Sequence, residues 1–247
     1  MAVENLKAAL MPEALIVSLG AKLSVQILSF VYDWFSRNET VHIENLGKDF
    51  SREGDMPEGF VSNLEVQENV LRYISSFDES IVGFEVEEIR KRDEDVLGKA
   101  YIIHTVHKLT DGGRQSILLG NESGGTRKML SQYGPLQRTL EQGSVIFIDE
   151  LSDKLHPLLV RNIILTFLTP EINTNHAQLI FTTHDGLQFS TELLRRDELW
   201  VTDKDEKGTS TLHSVAACKD DEGNLVENYL NGRYGGIPGL KTLLVKT

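Results

Sequence analysis

The chain has 247 residues, 25 Lys and Arg against 37 Asp and Glu, a formal net charge of −12 and 40% hydrophobic residues. This length and apolar content allow a sizeable core and exclude a disordered chain or a fibre. The acidity argues against a surface that binds DNA electrostatically as a whole, which leaves direct nucleic-acid binding open only at a local basic patch. No apolar run reaches the roughly 20 residues of a membrane span. With no signal-peptide pattern and a single cysteine, Cys218, the chain is predicted to be cytoplasmic.

Residues 1–117 are predicted to form a helical and β-hairpin region. Apolar residues recur at four-residue steps near the start, and this spacing favours a helix. The turn sequence Thr110-Asp111-Gly112-Gly113 indicates a tight hairpin between two strands. The predicted elements, in chain order, are a helix from Leu15 to Val31, a loop with short ordered pieces over 36–59, a helix over 64–77, strands over 81–89 and 101–109, and a hairpin strand over 115–119.

Residues 118–247 show a different pattern, in which short apolar runs alternate with helical segments. The predicted elements are a helix over 127–140, buried strands over 145–148 and 177–182, a helix over 157–168, a helical stretch, a strand over 198–203 and an antiparallel edge strand over 209–215. Strands that alternate with helices are typical of right-handed crossovers in a parallel sheet. The sequence therefore predicts an α/β fold with a parallel sheet and flanking helices.

Two adjacent carboxylates, Asp149 and Glu150, follow the predicted strand over 145–148. Ligands of α/β sheets bind at the carboxyl ends of the strands, and two acids there are costly unless a cation or a water uses them. In one interpretation Asp149 holds Mg²⁺ through water and Glu150 polarises the attacking water, as in a Walker B strand with its catalytic glutamate. The alternative is an ordinary acidic turn at the end of a strand.

Two further segments bear on this choice. Ser123, Gly124 and Gly125 precede the predicted helix over 127–140, and the backbone N–H groups at a helix start suit a phosphate. The alternative there is a glycine-rich turn with Ser123 as the helix N-cap. His184 follows the strand over 177–182, where it could sense a γ-phosphate or hydrogen-bond a neighbouring loop. The order and spacing of the three segments together favour a nucleotide site.

In this order and spacing the motifs resemble ABC-type ATPases. The resemblance rests on Ser-Gly-Gly before a helix, the strand ending in Asp149-Glu150, Leu155-His156-Pro157 and Thr183-His184-Asp185. It is strongest for the bacterial AAA15-type group, which includes abortive-infection ATPases of the RloA-like and OLD-related kind. It is strong over about residues 118–240 and weaker, though compatible, over residues 10–117. By this resemblance the parallel sheet is part of the sheet of a P-loop NTPase.

The resemblance implies a role for each matching position. Residues 123–125 would form the signature loop, which contacts ATP held by the opposite subunit of a head-to-tail dimer. Asp149 would be the Mg²⁺ residue, Glu150 the general base and His184 the switch histidine. The partner would be a second copy or another ATPase lobe, and family analogy adds an associated nuclease of a phage-defence system.

The sequence departs from the family pattern in two places. The loop over 151–156, which crosses the dimer interface in the family, has Ser152 and Lys154 where the family carries Asp and Ser. The phosphate-binding pattern Gly-x-x-x-x-Gly-Lys-Ser/Thr occurs nowhere in the 247 residues. We therefore expect the chain to be the C-terminal portion of a longer ATPase, carrying half of an ATP site and unable to hydrolyse ATP unaided.

Two other functions are compatible with the same residues. A catalytically silent subunit would keep the fold and pair with a complete ATPase. A metal-dependent nuclease would use Asp149, Glu150, His184 and Asp185, although no separate nuclease domain follows these residues in the chain.

Overall fold

A computed structural model describes residues 15–41, 51–52, 56–89, 100–188, 192–218 and 224–237. The chain divides into two compact units. The first unit consists of Met1–Asp149 with Thr166–Thr182, and the second of Glu150–Leu165 with Thr183–Thr247. The sequence-based division into 1–117 and 118–247 stays a prediction.

The apolar stripe near the start is divided between two helices, α1 (Ile16–Lys22) and α2 (Gln26–Ser36), which meet at an angle of 113°. Ser24, between them, has φ of +57°, a left-handed conformation that an α-helix cannot contain. Among the described residues no single helix is long and apolar enough to cross a membrane. Taken together, α1 and α2 do pass that test of length and composition.

An antiparallel sheet and one helix contribute most residues of the main hydrophobic cluster in the first unit. The sheet contains β2 (Ser51–Arg52), β3 (Ile81–Ile89), β4 (Ala100–Lys108) and β5 (Arg114–Leu118), and β4 pairs with each of the other three. Helix α3 (Leu64–Ser75) begins at Asn63, whose side chain accepts a hydrogen bond from the Glu65 N–H at 2.9 Å. The buried core residues are Met56, Phe60, Val70, Ile74, Ile81, Tyr101, Ile103, Leu119 and Leu130. These elements confirm the predicted helix, strands and hairpin.

The first unit also contains a three-stranded parallel sheet. Its strands are β1 (Glu39–Val41), β6 (Val145–Ile148) and β7 (Gln178–Phe181), in the order β1-β6-β7. Helix α4 (Gly124–Gln142) packs on β1 and β6, and helix α5 (Pro157–Leu168) lies between β6 and β7 in the chain. The predicted α/β fold with a parallel sheet and flanking helices is therefore confirmed.

Strand β1 lies within the segment that the sequence predicted as a loop. It pairs with β6 in parallel register, with Val41 opposite Ile148. Consequently β6 is the central strand of the described sheet, with β1 on one side and β7 on the other. A strand of three residues is too short to show the alternation by which strands are recognised.

Three other predictions for the C-terminal half are corrected. Strand β7 is half-exposed rather than buried, with Ile180 50% accessible, because it is the outer strand of this sheet. In the described part of 183–197, the only helical turn is a 3-10 turn at Gly186–Gln188. The predicted strand over 198–203 becomes β8 (Trp200–Lys204), which pairs with β9 (Ser210–Ser214) in an antiparallel hairpin and not with the parallel sheet. The last described helix is α6 (Leu225–Leu230).

Candidate functional site

Asp149 directly follows the central strand of the parallel sheet. Its Oδ1 accepts a hydrogen bond of 2.6 Å from the hydroxyl of Thr182, which directly follows the neighbouring strand β7. The ladder between the strands continues to this point, since the Thr182 N–H donates to the Ile148 carbonyl at 3.1 Å. A carboxylate and a hydroxyl thus meet at the carboxyl edge of the sheet in the first unit, where α/β proteins bind ligands.

Glu150 and His184 form a pair in the second unit. The His184 Nδ1 lies 2.8 Å from the Glu150 Oε2, and the two side chains are 74% and 48% exposed. A carboxylate that contacts an imidazole in an accessible position can accept a proton from water while the imidazole fixes its orientation. Of the predicted site residues, these two are brought into direct contact.

The backbone at Glu150 is unusual for a residue with a side chain. Its φ is +50°, in the left-handed region, which costs an L-residue about 1–2 kcal/mol. The Asp153 N–H donates to the Glu150 carbonyl at 3.0 Å, so this conformation belongs to a tight turn directly after the strand. Strained conformations of this kind concentrate at functional sites.

Ser123 caps the helix that follows it. Its Oγ accepts a hydrogen bond of 3.0 Å from the Thr126 N–H and lies 2.8 Å from the Thr126 hydroxyl. Gly124 and Gly125 are the first two residues of the 19-residue helix α4. Ser123 is therefore the N-cap of α4. This does not conflict with a role in contacting phosphate, because the first turn of a helix has backbone N–H groups without partners inside the helix.

The loop after Glu150 is tied to the segment that follows β7. The Thr183 hydroxyl donates to the Ser152 Oγ at 2.7 Å, and the Asp185 N–H donates to the Thr183 Oγ1 at 3.0 Å. Lys154, the second residue that departs from the family pattern, has φ of +60° and its Nζ lies 3.5 Å from the Asp153 carboxylate. This loop therefore has a defined conformation of its own.

A cavity of about 340 Å³ opens beside His184 in the second unit. Ser152 and Asp185 supply polar groups on one side, and Val226 and Leu230 of helix α6 supply an apolar wall. His184 thus lines a concave surface that a ligand or a partner side chain can enter.

The donor set fits a Mg²⁺ ion that arrives with a nucleotide better than a resident metal. No group of three or more His, Cys, Asp or Glu side chains that could hold a metal ion occurs within the described residues. Mg²⁺ is commonly bound by one or two carboxylates and completes its shell with water and substrate phosphates. Asp149 with the Thr182 hydroxyl is an oxygen set of that kind.

Sequence reasoning identified the carboxylates and the histidine but missed their partners. The contact of Thr182 with Asp149 is not predicted from the sequence, and neither is the contact of Ser152 with Thr183. The two residues of each pair are separated by about thirty residues in the chain. The signal that could have found Thr182 is its position directly after an apolar strand, the same position that Asp149 holds after β6.

A parallel sheet flanked by helices, with two acids directly after its central strand in the sequence, is consistent with an AAA domain of the P-loop NTPase-like type. The family model described as an AbiEii toxin-like AAA domain (AAA domain, Type IV TA system) matches residues 31–188, more than half of the chain. The chain therefore belongs to this AAA domain family, whose members use nucleotide, typically with Mg²⁺. No curated protein matches the chain.

Proposed function

We propose that this chain supplies the second half of an ATPase site, completed by the phosphate-binding loop of a partner lobe. The observation that carries the proposal is the contact of 2.8 Å between Glu150 and His184. These residues directly follow Asp149 and the segment Thr182-Thr183 in an AAA domain. The pair is too exposed to be explained by a contribution to stability.

Each residue has a distinct task in this proposal. Asp149 would hold Mg²⁺, which when bound neutralises charge on the phosphate oxygens. Glu150 would accept a proton from the attacking water, and His184 would orient the Glu150 carboxylate through its Nδ1. The N–H groups at the start of α4, with Ser123, Gly124 and Gly125, would contact the phosphates of a nucleotide held by the opposite subunit.

The proposed partner supplies a phosphate-binding loop, because the given sequence contains no such pattern. None of its 247 residues forms a Gly-x-x-x-x-Gly-Lys-Ser/Thr pattern, the loop that cradles the phosphates of P-loop NTPases. Without that cradle ATP loses most of its polyphosphate contacts, and the acids near the site repel the nucleotide. We therefore propose a cytoplasmic head-to-tail assembly, either with a second copy attached to such a lobe or with a separate ATPase lobe.

The biological setting is also a proposal. The AbiEii toxin-like description of the matched family supports a place in phage defence by abortive infection, as does the resemblance to AAA15-type, RloA-like ATPases. An associated nuclease is the effector that this analogy suggests.

The test begins with the DNA that adjoins the gene. We expect an in-frame or neighbouring reading frame that encodes the missing phosphate-binding loop, and co-expression with its product should yield a complex that releases phosphate from Mg-ATP. Glu150→Gln should lower that turnover by about 10²-fold or more, because general-base catalysis contributes about 10²–10⁴-fold. Glu171→Gln, which changes an exposed acid in another turn, is the matched control and should leave turnover unchanged.

The second candidate is a catalytically silent subunit, and the departures at Ser152 and Lys154 favour it. In that case adding the chain changes the turnover of a complete ATPase, while Glu150→Gln in the chain has no effect. Absence of a phosphate-binding loop in the adjoining frames, together with a silent Glu150→Gln variant, would overturn the ATPase proposal.

A further inference from the structure

A polar cluster with a buried centre lies in the first unit, next in sequence to residues 123–125. The His107 Nε2 is 2.6 Å from the Glu122 Oε1, and the Thr105 hydroxyl donates to the same Glu122 oxygen. On its other side the His107 Nδ1 lies 2.9 Å from the Ser80 Oγ, which donates to Asp78 at 2.6 Å. The cluster thus links strand β4 to the residue directly before Ser123.

The hydrogen-bond roles in this cluster follow from the acceptor. A carboxylate can only accept, so the His107 Nε2 carries a hydrogen and donates it to Glu122. The side chains of His107 and Glu122 are only 14% and 7% exposed, and Thr105 is fully buried. A buried carboxylate is costly unless it is hydrogen-bonded, so this arrangement fixes the Glu122 side chain closely.

The backbone on either side of Glu122 transmits that restraint. A 3-10 turn at Leu119–Asn121 precedes it, with Leu119 buried in the core and the Glu122 N–H donating to the Leu119 carbonyl at 3.1 Å. Directly after it, Ser123 begins helix α4 as its N-cap. The start of α4 is therefore held by an apolar anchor at Leu119 and a polar anchor at Glu122.

We propose that His107 and Thr105 are positioning residues that hold the 123–125 loop ready for a nucleotide phosphate by tethering Glu122. The tether also keeps the Glu122 charge buried, since a released carboxylate beside the loop would repel the triphosphate. A loop whose supporting contacts are already made does not need to be ordered when the ligand binds. The role of the loop rests on the proposed function, whereas the tether itself does not.

The test is amide hydrogen exchange in the full chain without nucleotide. The reporters are the N–H groups of Thr126 and Arg127, which donate to the Ser123 Oγ and the Ser123 carbonyl. His107→Leu removes the donor, and we expect exchange at these two amides to become about tenfold faster, the change that loss of one hydrogen bond to a charged group produces. The amides of Val70 and Ile74, in the core helix α3, should keep their exchange rates.

Two variants separate a tether from general stability. His107→Gln places an amide N–H near the position of the imidazole Nε2, and it should restore exchange at Thr126 and Arg127 to near the wild-type rate. His104→Leu is the matched control, because a residue three positions away on the same strand faces the opposite side of the sheet. If His107→Leu does not fold, Thr105→Val removes the second donor with little change in volume and should also speed exchange at the loop.

Each other result counts against the proposal. Unchanged exchange at Thr126 and Arg127 in His107→Leu would overturn it, as would an equal acceleration in helix α3. Mg-ATP binding by the complex with the partner lobe gives an independent readout, which His107→Leu should weaken. A loop-specific change in exchange with no effect on Mg-ATP binding would leave the tether standing and refute the assignment of the loop to the nucleotide.

Discussion

At the scale of single residues, the sequence predicts the chemical type of Glu150 but not its backbone conformation or its contact. The two adjacent acids after an apolar run are visible in the sequence, but the left-handed φ of +50° at Glu150 and the contact with His184 are not. The contact joins two turns that lie more than thirty residues apart in the chain. The residue that contacts the Glu150 carboxylate is therefore determined by the folding of the chain and not by the local motif.

A residue-scale prediction concerns Gly143, which ends helix α4. Its φ is +63°, and a Cβ built there would come within 2.2 Å of the Asn175 carbonyl oxygen. A left-handed conformation costs an L-residue about 1–2 kcal/mol. Gly143→Ala should lower the free energy of unfolding by more than this amount, because the clash adds to it. Urea denaturation followed by circular dichroism measures the change.

Gly112→Ala is the control for the Gly143 variant. Gly112 has φ of +86° but a Cβ there would meet no atom within 4 Å, so its cost is that of the backbone conformation alone. The difference between the two alanine variants isolates the clash with Asn175. Equal losses of stability in the two variants would show that the chain near Asn175 yields without cost.

At the scale of elements, the connection between helix α5 and strand β7 depends on one buried asparagine. The Asn173 Nδ2 donates to the carbonyls of Phe167 and Ala177 at 2.8 and 2.9 Å. Its Oδ1 accepts from the Ala177 N–H at 2.7 Å. This side chain therefore satisfies backbone groups at the end of the helix and at the start of the strand.

We expect Asn173→Ala to lower the free energy of unfolding by about 2–4 kcal/mol, because it leaves buried backbone groups without partners. Because Asn173 holds Ala177, the residue directly before β7, the loss should be accompanied by faster amide exchange in Gln178–Phe181. Urea denaturation and hydrogen exchange measure the two effects. Glu171→Ala, an exposed change in the same turn, should alter stability by less than about 0.5 kcal/mol, and a similar loss in both variants would contradict the role of Asn173.

At the scale of the whole molecule, the described chain exposes a large apolar surface on α1 and α2. Ile27 and Phe30 are 73% and 72% accessible, and Trp34 and Phe35 are also exposed. Surfaces of this kind mark interaction sites or cause aggregation. We expect the isolated chain to associate and to have low stability, and the double substitution of Ile27 and Phe30 by serine to reduce its association.

Sedimentation velocity over a range of concentrations measures this association. Leu212→Ser is the control, because Leu212 is 62% exposed on the separate β8–β9 hairpin. A monomer that unfolds cooperatively at high temperature would contradict the expectation of a chain that is poorly stable by itself.

The long elements were predictable because their patterns repeat. Strands β3 and β4 have nine residues each, helix α3 has twelve, and a turn signal separates β4 from β5. Strand β1 has only three residues in a polar segment. Strands β8 and β9 were predicted, with β9 antiparallel, but their separation from the parallel sheet was not. Strand pairing joins segments that are distant in the sequence. A local pattern therefore predicts that a strand exists more readily than it predicts which strand it pairs with.

The sequence by itself determined the α/β class, the order of the motifs and the chemical types at the site, because hydrophobic periodicity and side-chain chemistry are local properties. Only the tertiary structure decided that β1 completes one side of β6, that Thr182 meets Asp149, that His184 meets Glu150 and that Glu122 is held by His107. Each of these is a contact across many residues of chain, and its geometry depends on how whole elements pack.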